Sequence, residues 1–188
     1  DGGSTDGSLG VLAAARAHLA KLICEPDSGV YDALNKGIRE ASGDIVGVMH
    51  ADDEFASERT VELVARVFED PSVQAVYGDL VYVSRDDPSR IVRYWRAGGY
   101  TRQQLAHGWM PPHPTFYVRS AVYERLGMFD TRYRIAADYD CVVRFLFVLS
   151  PDWMNEPKRG KEGSGGQALL KVHMTYQPFR THAQRRYF

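Results

Sequence analysis

Asp52 and Asp53 are the residues of this sequence whose type and spacing point most directly to chemistry. They stand together in "HADDEF", immediately after the short β-branched run "DIVGVM". Such a run reads as a buried strand, and open α/β sheets bind ligands in the crevice outside the carboxyl ends of their strands. Two like charges side by side call for a cation. An oxygen-only donor pair suits Mg2+ or Mn2+, which keeps part of its water shell and is completed by substrate phosphates. With Glu54, the same residues also read as a polar turn leading into a helix capped by Ser57, and both readings stand at this point. The opening stretch "DGGSTDGS" is a second candidate. Gly2, Gly3 and Gly7 permit close backbone approach, while Ser4, Thr5, Asp6 and Ser8 can bond the amides of a loop and of a helix start. It reads as the loop after a strand. Cys24 and Cys141 form neither a zinc spacing nor a disulfide framework, which makes a reducing cytoplasm the default compartment.

Around these stretches helix and strand patterns alternate. Leu9, Leu12, Arg16 and Leu19 fall at helical spacing after Ser8 and predict a helix over 9–20. "VYDALNKGIREA" predicts a second over 30–41, ending before Ser42-Gly43. A third, "ERTVELVARVFED", places Val61, Val64, Val67 and Phe68 on one face. "VQAVYGDLVYVS" and "RIVRYWR" read as two strands joined by the turn "RDDPS". Beyond the Pro-rich loop "MPPHP" come a strand "TFYV", a short helix around "SAVYERLG", and a helix "AADYDCVVRFLFVL" that buries Val142, Val143, Leu146 and Leu149. The pattern is α/β, with a β-hairpin inserted in the second half.

At 188 residues and 44% hydrophobic content the chain suits one domain with a sizeable core. A formal net charge of −1 gives no reason to expect nucleic acid as a partner. Charge is uneven, however. Residues 151–188 hold seven lysines and arginines against three acids, which fits either a solvated face or a peripheral contact with phosphates or anionic lipid. The expected division is therefore a domain over 1–150 and a basic extension over 151–188, in which "KEGSGG" reads as a flexible linker. The longest apolar stretch, "CVVRFLFVL", is interrupted by Arg144 and far shorter than a membrane span, and no signal peptide pattern is present.

The ordered set "DGGSTDGS", "EPDSGVYDALNKGIREASGDIVGVMHADD", "VYGDL" and "PHPTFYVRSAVYERLGMFDTRYRIAADYD" resembles the family 2 glycosyltransferases, in particular bacterial polysaccharide-synthesis members. The resemblance implies a GT-A-like, Rossmann-type mixed sheet flanked by helices. It also implies transfer of a sugar, with inversion, from a nucleotide-diphosphate donor to a saccharide or lipid-linked acceptor. A divalent metal, Mn2+ or Mg2+, and a cytoplasmic location at the inner face of a membrane belong to the same expectation. Relatives carry a strand, a helix and a second strand before the opening loop, so the chain is expected to start within the fold, without its first strand.

The resemblance also implies roles for individual residues. Asp1 takes the position of the acid that leads the nucleoside-contacting loop, and Asp27 borders base and ribose. Asn35 and Lys36, in the same segment, read equally as solvated helix positions. Asp53 would ligate the cation, with Asp52 holding ribose or sharing the metal. Asp138 stands where the family pattern places the base that deprotonates the acceptor hydroxyl; as an acid in the first turn of a helix it also fits a charge stabilising that terminus. Asp140, two residues on, is rotated by about 200° and faces elsewhere. His113 sits beside the acceptor site, to orient acceptor or phosphate or to brace its loop. His50 stands where relatives often carry Asn or Ser. Two other readings compete: a nucleotidyltransferase on a similar sheet, and a non-catalytic nucleotide-sugar-binding remnant.

Overall fold

The computed structural model describes residues 1–149 and 174–176. Helix α1, Ser8–Ala14, follows the opening loop, where the Asp6 carboxylate accepts the Ser8 amide and hydroxyl. It stops well short of residue 20 and passes into a 3-10 turn, Arg16–His18. No residue of α1 is buried, so extending it would gain no packing to offset the ordering cost. Helix α2, Val30–Glu40, is close to its predicted bounds, with Asp32 in its first turn and Arg39 in its last, both favourable to the helix dipole.

Strand β1, Ile45–Gly47, is the core of the "DIVGVM" run. Strand β2, Asp53–Phe55, follows where a loop was expected. Helix α3, Thr60–Val67, begins two residues late: Ser57 Oγ accepts the Arg59 amide and the Ser57 carbonyl accepts that of Thr60. Val64 and Phe68 pack with Val73, Val76 and Leu80, whereas Val61, expected on that face, is 57% exposed.

The single strand expected over 73–84 is two. Strand β3, Ala75–Val76, and strand β4, Leu80–Val83, belong to different sheets. Between them the Thr115 hydroxyl donates to the Gly78 carbonyl and accepts the Gly78 amide, so a side chain takes the place of ladder partners and the chain crosses over. Strand β5, Ile91–Trp95, completes the predicted hairpin with β4. Its turn is tightened by Asp87, which accepts the Ser89 amide and hydroxyl. Helix α4, Arg102–Ala106, was not anticipated; Thr101 and Gln104 form a reciprocal capping box at its start.

A 3-10 turn, His113–Thr115, leads into strand β6, Tyr117–Arg119, and helix α5, Ser120–Leu126. Helix α6, Ala137–Leu149, starts one residue later than read. It buries Val142 and Leu146 as expected, with Cys141 and Phe145 in addition, while Val143 and Leu149 are half-buried. Strand β7, Met174–Tyr176, lies in the stretch read from sequence as an extension. The "KEGSGG" linker falls outside the described residues.

One sheet has the order β1-β6-β3, with β6 antiparallel to both neighbours, so β1 and β3 run the same way. The other has the order β2-β7-β4-β5, with β4 and β7 parallel and the remaining pairs antiparallel. The main core joins Val46 of β1 and Val118 of β6 to α5 and α6 through Val122, Phe145 and Leu146. Arg144, which interrupts the apolar pattern of α6, donates to the carbonyls of Leu126, Gly127 and Met128 and ties α6 to the end of α5. Layers of helix and sheet around this core give a mixed α/β fold. Among the described residues no helix is long and apolar enough to cross a membrane.

Candidate active site

β1 ends at Gly47, and the chain then makes a tight turn in which the Asp53 amide bonds the His50 carbonyl. Gly47 is needed there, because a Cβ at this position would collide with the Tyr117 ring across from it on β6. The turn carries Asp52 and Asp53 to the carboxyl end of β1. Asp53 is 7% exposed. Its Oδ2 accepts the His50 amide at 3.0 Å, but its Oδ1, also buried, has no partner among the described residues. Burial raises the Asp53 pKa, with the neighbouring Asp52 charge adding to the rise and the His50 amide opposing it. The nearby Tyr117 phenol is pushed up to about 12, chiefly by burial and then by Asp53.

An orphaned buried carboxylate oxygen beside a second carboxylate fits a hard divalent cation. Among the described residues no cluster of three or more His, Cys, Asp or Glu could hold a metal, which leaves Asp53 and Asp52 as the carboxylate donors at this turn. This is the donor set expected where phosphate oxygens and water complete the shell of Mg2+ or Mn2+.

From Asp53 a line of contacts runs to Asp138. The His50 ring meets the His113 ring through their Nε2 atoms at 2.7 Å. His113 Nδ1 lies 3.3 Å from Asp138 Oδ2. The other Asp138 oxygen, Oδ1, accepts the Tyr31 hydroxyl at 2.9 Å across 107 residues of sequence. Burial depresses the His113 imidazole to about 4, against opposition from the Asp138 charge, so the ring is neutral near pH 7. The Tyr31 phenol is raised, first by burial and then by its bond to Asp138. The Asp138 side chain retains 22% exposure and is open to a hydroxyl from outside. Asp140 turns away from this line to pair with Arg144 at 3.2 Å. Ala136, next to α6, has φ 68, a left-handed conformation that costs a non-glycine residue about 1 kcal/mol and that the surrounding packing must hold.

The two acidic sites predicted from sequence are therefore joined, with Asp53, His113 and Asp138 in one connected group. Asp1 and Asp27 meet elsewhere, around a cavity of about 470 Å³ between the opening loop and α2, whose lining includes neither Asp53 nor Asp138. There Asp1 bonds the Gly3 and Ser4 amides, and Asp27 bonds the Gly29 amide. Asn35 is not a solvated helix position. It is buried, and its side-chain amide donates to the Phe129 carbonyl at 2.8 Å and accepts the Phe129 amide at 3.0 Å. Lys36 bonds the Pro26 carbonyl and pairs with Glu25, bracing the loop before α2. Sequence reasoning missed Tyr31 and the bridging place of His50. Tyr31 lies within the motif "EPDSGVYDALNKGIREASGDIVGVMHADD", but only the tertiary fold reveals its partner.

Comparison with known proteins finds glycosyltransferases. An uncharacterised glycosyltransferase of Mycobacterium tuberculosis is 32% identical over 155 residues, 80% of this chain and 57% of the relative. A PGL/p-HBAD biosynthesis glycosyltransferase of Mycobacterium bovis is 28% identical over 148 residues, 77% of this chain and 55% of the relative. The chain thus spans about half the length of the curated relatives it matches. In structure it is similar to a mannosyltransferase from Pyrobaculum calidifontis, solved with GDP-mannose and Mn2+, with a TM-score of 0.52 and 22% identity. That match covers 80% of this chain and 41% of the other. The model of glycosyl transferase family 2 matches residues 1–128, and the chain belongs to that family.

Proposed function

We propose that the intact protein transfers a sugar from a nucleotide-diphosphate donor to an acceptor hydroxyl, with inversion at the sugar C1, in the synthesis of a bacterial cell-surface polysaccharide. The observation that carries this reading is the connected line from Asp53 through His50 and His113 to Asp138. It joins the carboxylate read here as the cation ligand to a carboxylate that solvent can reach, which supports transfer between two substrates. Asp53, with Asp52 beside it, would hold Mn2+ or Mg2+, or Asp52 would turn to the ribose. When bound, that cation supplies positive charge to the leaving diphosphate. The structural neighbour holds GDP-mannose with Mn2+, in keeping with this donor class and cation.

Asp138 accepts the proton of the acceptor hydroxyl as the acceptor oxygen bonds to C1 from the face opposite the diphosphate. The bond from C1 to the diphosphate oxygen breaks, and its electron pair leaves with that oxygen. Asp1 and Asp27, at the cavity beside α2, serve the nucleoside. His113, with both ring nitrogens engaged by His50 and Asp138, acts on the acceptor side through the Asp138 carboxylate. The acceptor is a saccharide or a lipid-linked saccharide, met at the cytoplasmic face of the membrane.

The test is a screen of nucleotide-diphosphate sugars with the intact protein, with and without Mn2+, reading the anomeric configuration of the product by its C1 proton coupling. One preferred donor, dependence on the cation and an inverted anomer are expected. Retention of configuration, or undiminished transfer after chelation, overturns the reading.

A further inference from the structure

Asp138 is gripped on both carboxylate oxygens by side chains of this chain, one from α2 and one from the loop before β6. The Tyr31 hydroxyl donates to Oδ1, and His113 Nδ1 faces Oδ2. Tyr31 has little freedom of its own. Its ring stacks on Phe129 with centroids 5.7 Å apart and planes 30° apart, and Asn35 grips the Phe129 backbone through both its amide and its carbonyl. His113 stands between buried Pro112 and Pro114 and is tied at Nε2 to His50.

We infer that Tyr31 and His113 are positioning residues for the Asp138 base, fixing the plane of its carboxylate, and that Asp138 in turn sets the tautomer of His113, with His50 as the donor to its other ring nitrogen. This rests on the reading of Asp138 as the base. An unprotonated Nδ1 on His113 would turn a lone pair toward the carboxylate, so Nδ1 carries the proton. The Nε2 of the neutral ring is then an acceptor, and His50 Nε2 is the donor in the 2.7 Å bond. Each carboxylate oxygen has two acceptor directions, so one on each remains for the acceptor hydroxyl after Tyr31 and His113 have taken theirs. A base free to rotate would spend much of its time misaligned, and displacements of about 1 Å cost on the order of 10²-fold in rate. Helix α2 also lines the cavity holding Asp1 and Asp27, through Ala33, Lys36 and Gly37. The orientation of the base and the shape of that cavity therefore depend on one helix.

The experiment compares Tyr31→Phe, His113→Asn and His113→Gln with the wild type in the intact protein, alone and combined with Asp138→Asn. Tyr31→Phe keeps the ring stack and removes one hydroxyl. It is expected to lower kcat by about 10- to 100-fold while donor KM stays within about twofold. Combined with Asp138→Asn it should cost nothing further, because Tyr31 acts through that carboxylate. His113→Asn presents an amide near the place of Nδ1 and should retain more activity than His113→Gln, which reaches the place of Nε2. Nitrogen-15 spectra of histidine-labelled wild type should show His113 protonated at Nδ1, a preference lost in Asp138→Ala. A Tyr31→Phe rate within twofold of wild type, or a loss fully additive with Asp138→Asn, overturns the inference. So does a wild-type His113 protonated at Nε2. If Asp138→Asn itself transfers at the normal rate, the base reading fails and this inference falls with it. If Asp138→Asn is impaired while Tyr31→Phe and both His113 variants are normal, only the positioning role is lost.

Discussion

Replacing Asp53 by Asn should make the protein more stable in the absence of a divalent metal and deaf to that metal's addition. Asp53 is 7% exposed, with one oxygen bonded to the His50 amide and the other without a partner among the described residues. A buried, unsatisfied polar oxygen costs about 1–3 kcal/mol, and more when charged. Asn keeps an oxygen for the His50 amide and removes the charge, at the cost of burying an amide group. A net gain of about 1 kcal/mol follows, or roughly 2–4 °C in Tm for a domain of this size. The sign with pH is fixed by the raised pKa of Asp53, since the folded state holds that proton more tightly than the unfolded chain. The wild type therefore loses stability as pH rises from the unfolded carboxylate value of about 4 through the folded one, and the advantage of Asn appears above that range. Addition of Mn2+ with a nucleoside diphosphate at about 100 times Kd should stabilise the wild type by roughly 2.7 kcal/mol and leave the variant unmoved. Thermal melts of both proteins at about pH 7, with and without the two ligands, measure this. A variant that melts lower than wild type without metal, or that keeps the metal-dependent shift, refutes the reasoning.

Asn35→Ala removes two buried bonds to the Phe129 backbone and should cost about 2–3 kcal/mol in a denaturant titration. Gly47→Ala forces a Cβ against the Tyr117 ring, and the same titration should show a loss of about 1–3 kcal/mol; a neutral outcome would mean that the ring moves freely. Because burial holds His113 down to about 4, the unfolded chain takes up that proton first. Stability from this group is full above about 6.5 and is lost as pH falls toward about 4. His113→Gln should be less sensitive than wild type in that window, and parallel melting curves across it would contradict the assignment.

What could be read from the sequence was local. The bounds of α2 and α6 follow from apolar periodicity, and the place of Asp52 and Asp53 beyond β1 follows from the β-branched run before them. The break between β3 and β4 was hidden, because the hydroxyl that displaces the ladder there belongs to Thr115, 37 residues from Gly78. Pairing of β2 with β7 joins Asp53–Phe55 to Met174–Tyr176, a distance over which no turn signal operates. Helix α4 did carry a signal, the Thr101-x-x-Gln104 capping box, but at five residues it has too little periodicity to stand out. In the site, the acids were visible as pairs and motifs. Tyr31 was not, because an aromatic residue at the start of an amphipathic helix looks like core until its hydroxyl is seen on a carboxylate 107 residues away.

The central claim is that Asp138 is the proton acceptor of a glycosyl transfer, and Asp138→Asn tests it most directly. Asn nearly preserves the shape and can still bond the acceptor, but it cannot take a proton at neutral pH. Single-turnover transfer by the intact protein, with donor and acceptor saturating, should fall by about 10²-fold or more while donor affinity stays within a few-fold. Near-normal transfer together with a lowered Tm would contradict the account and leave Asp138 as a residue that stabilises the start of α6.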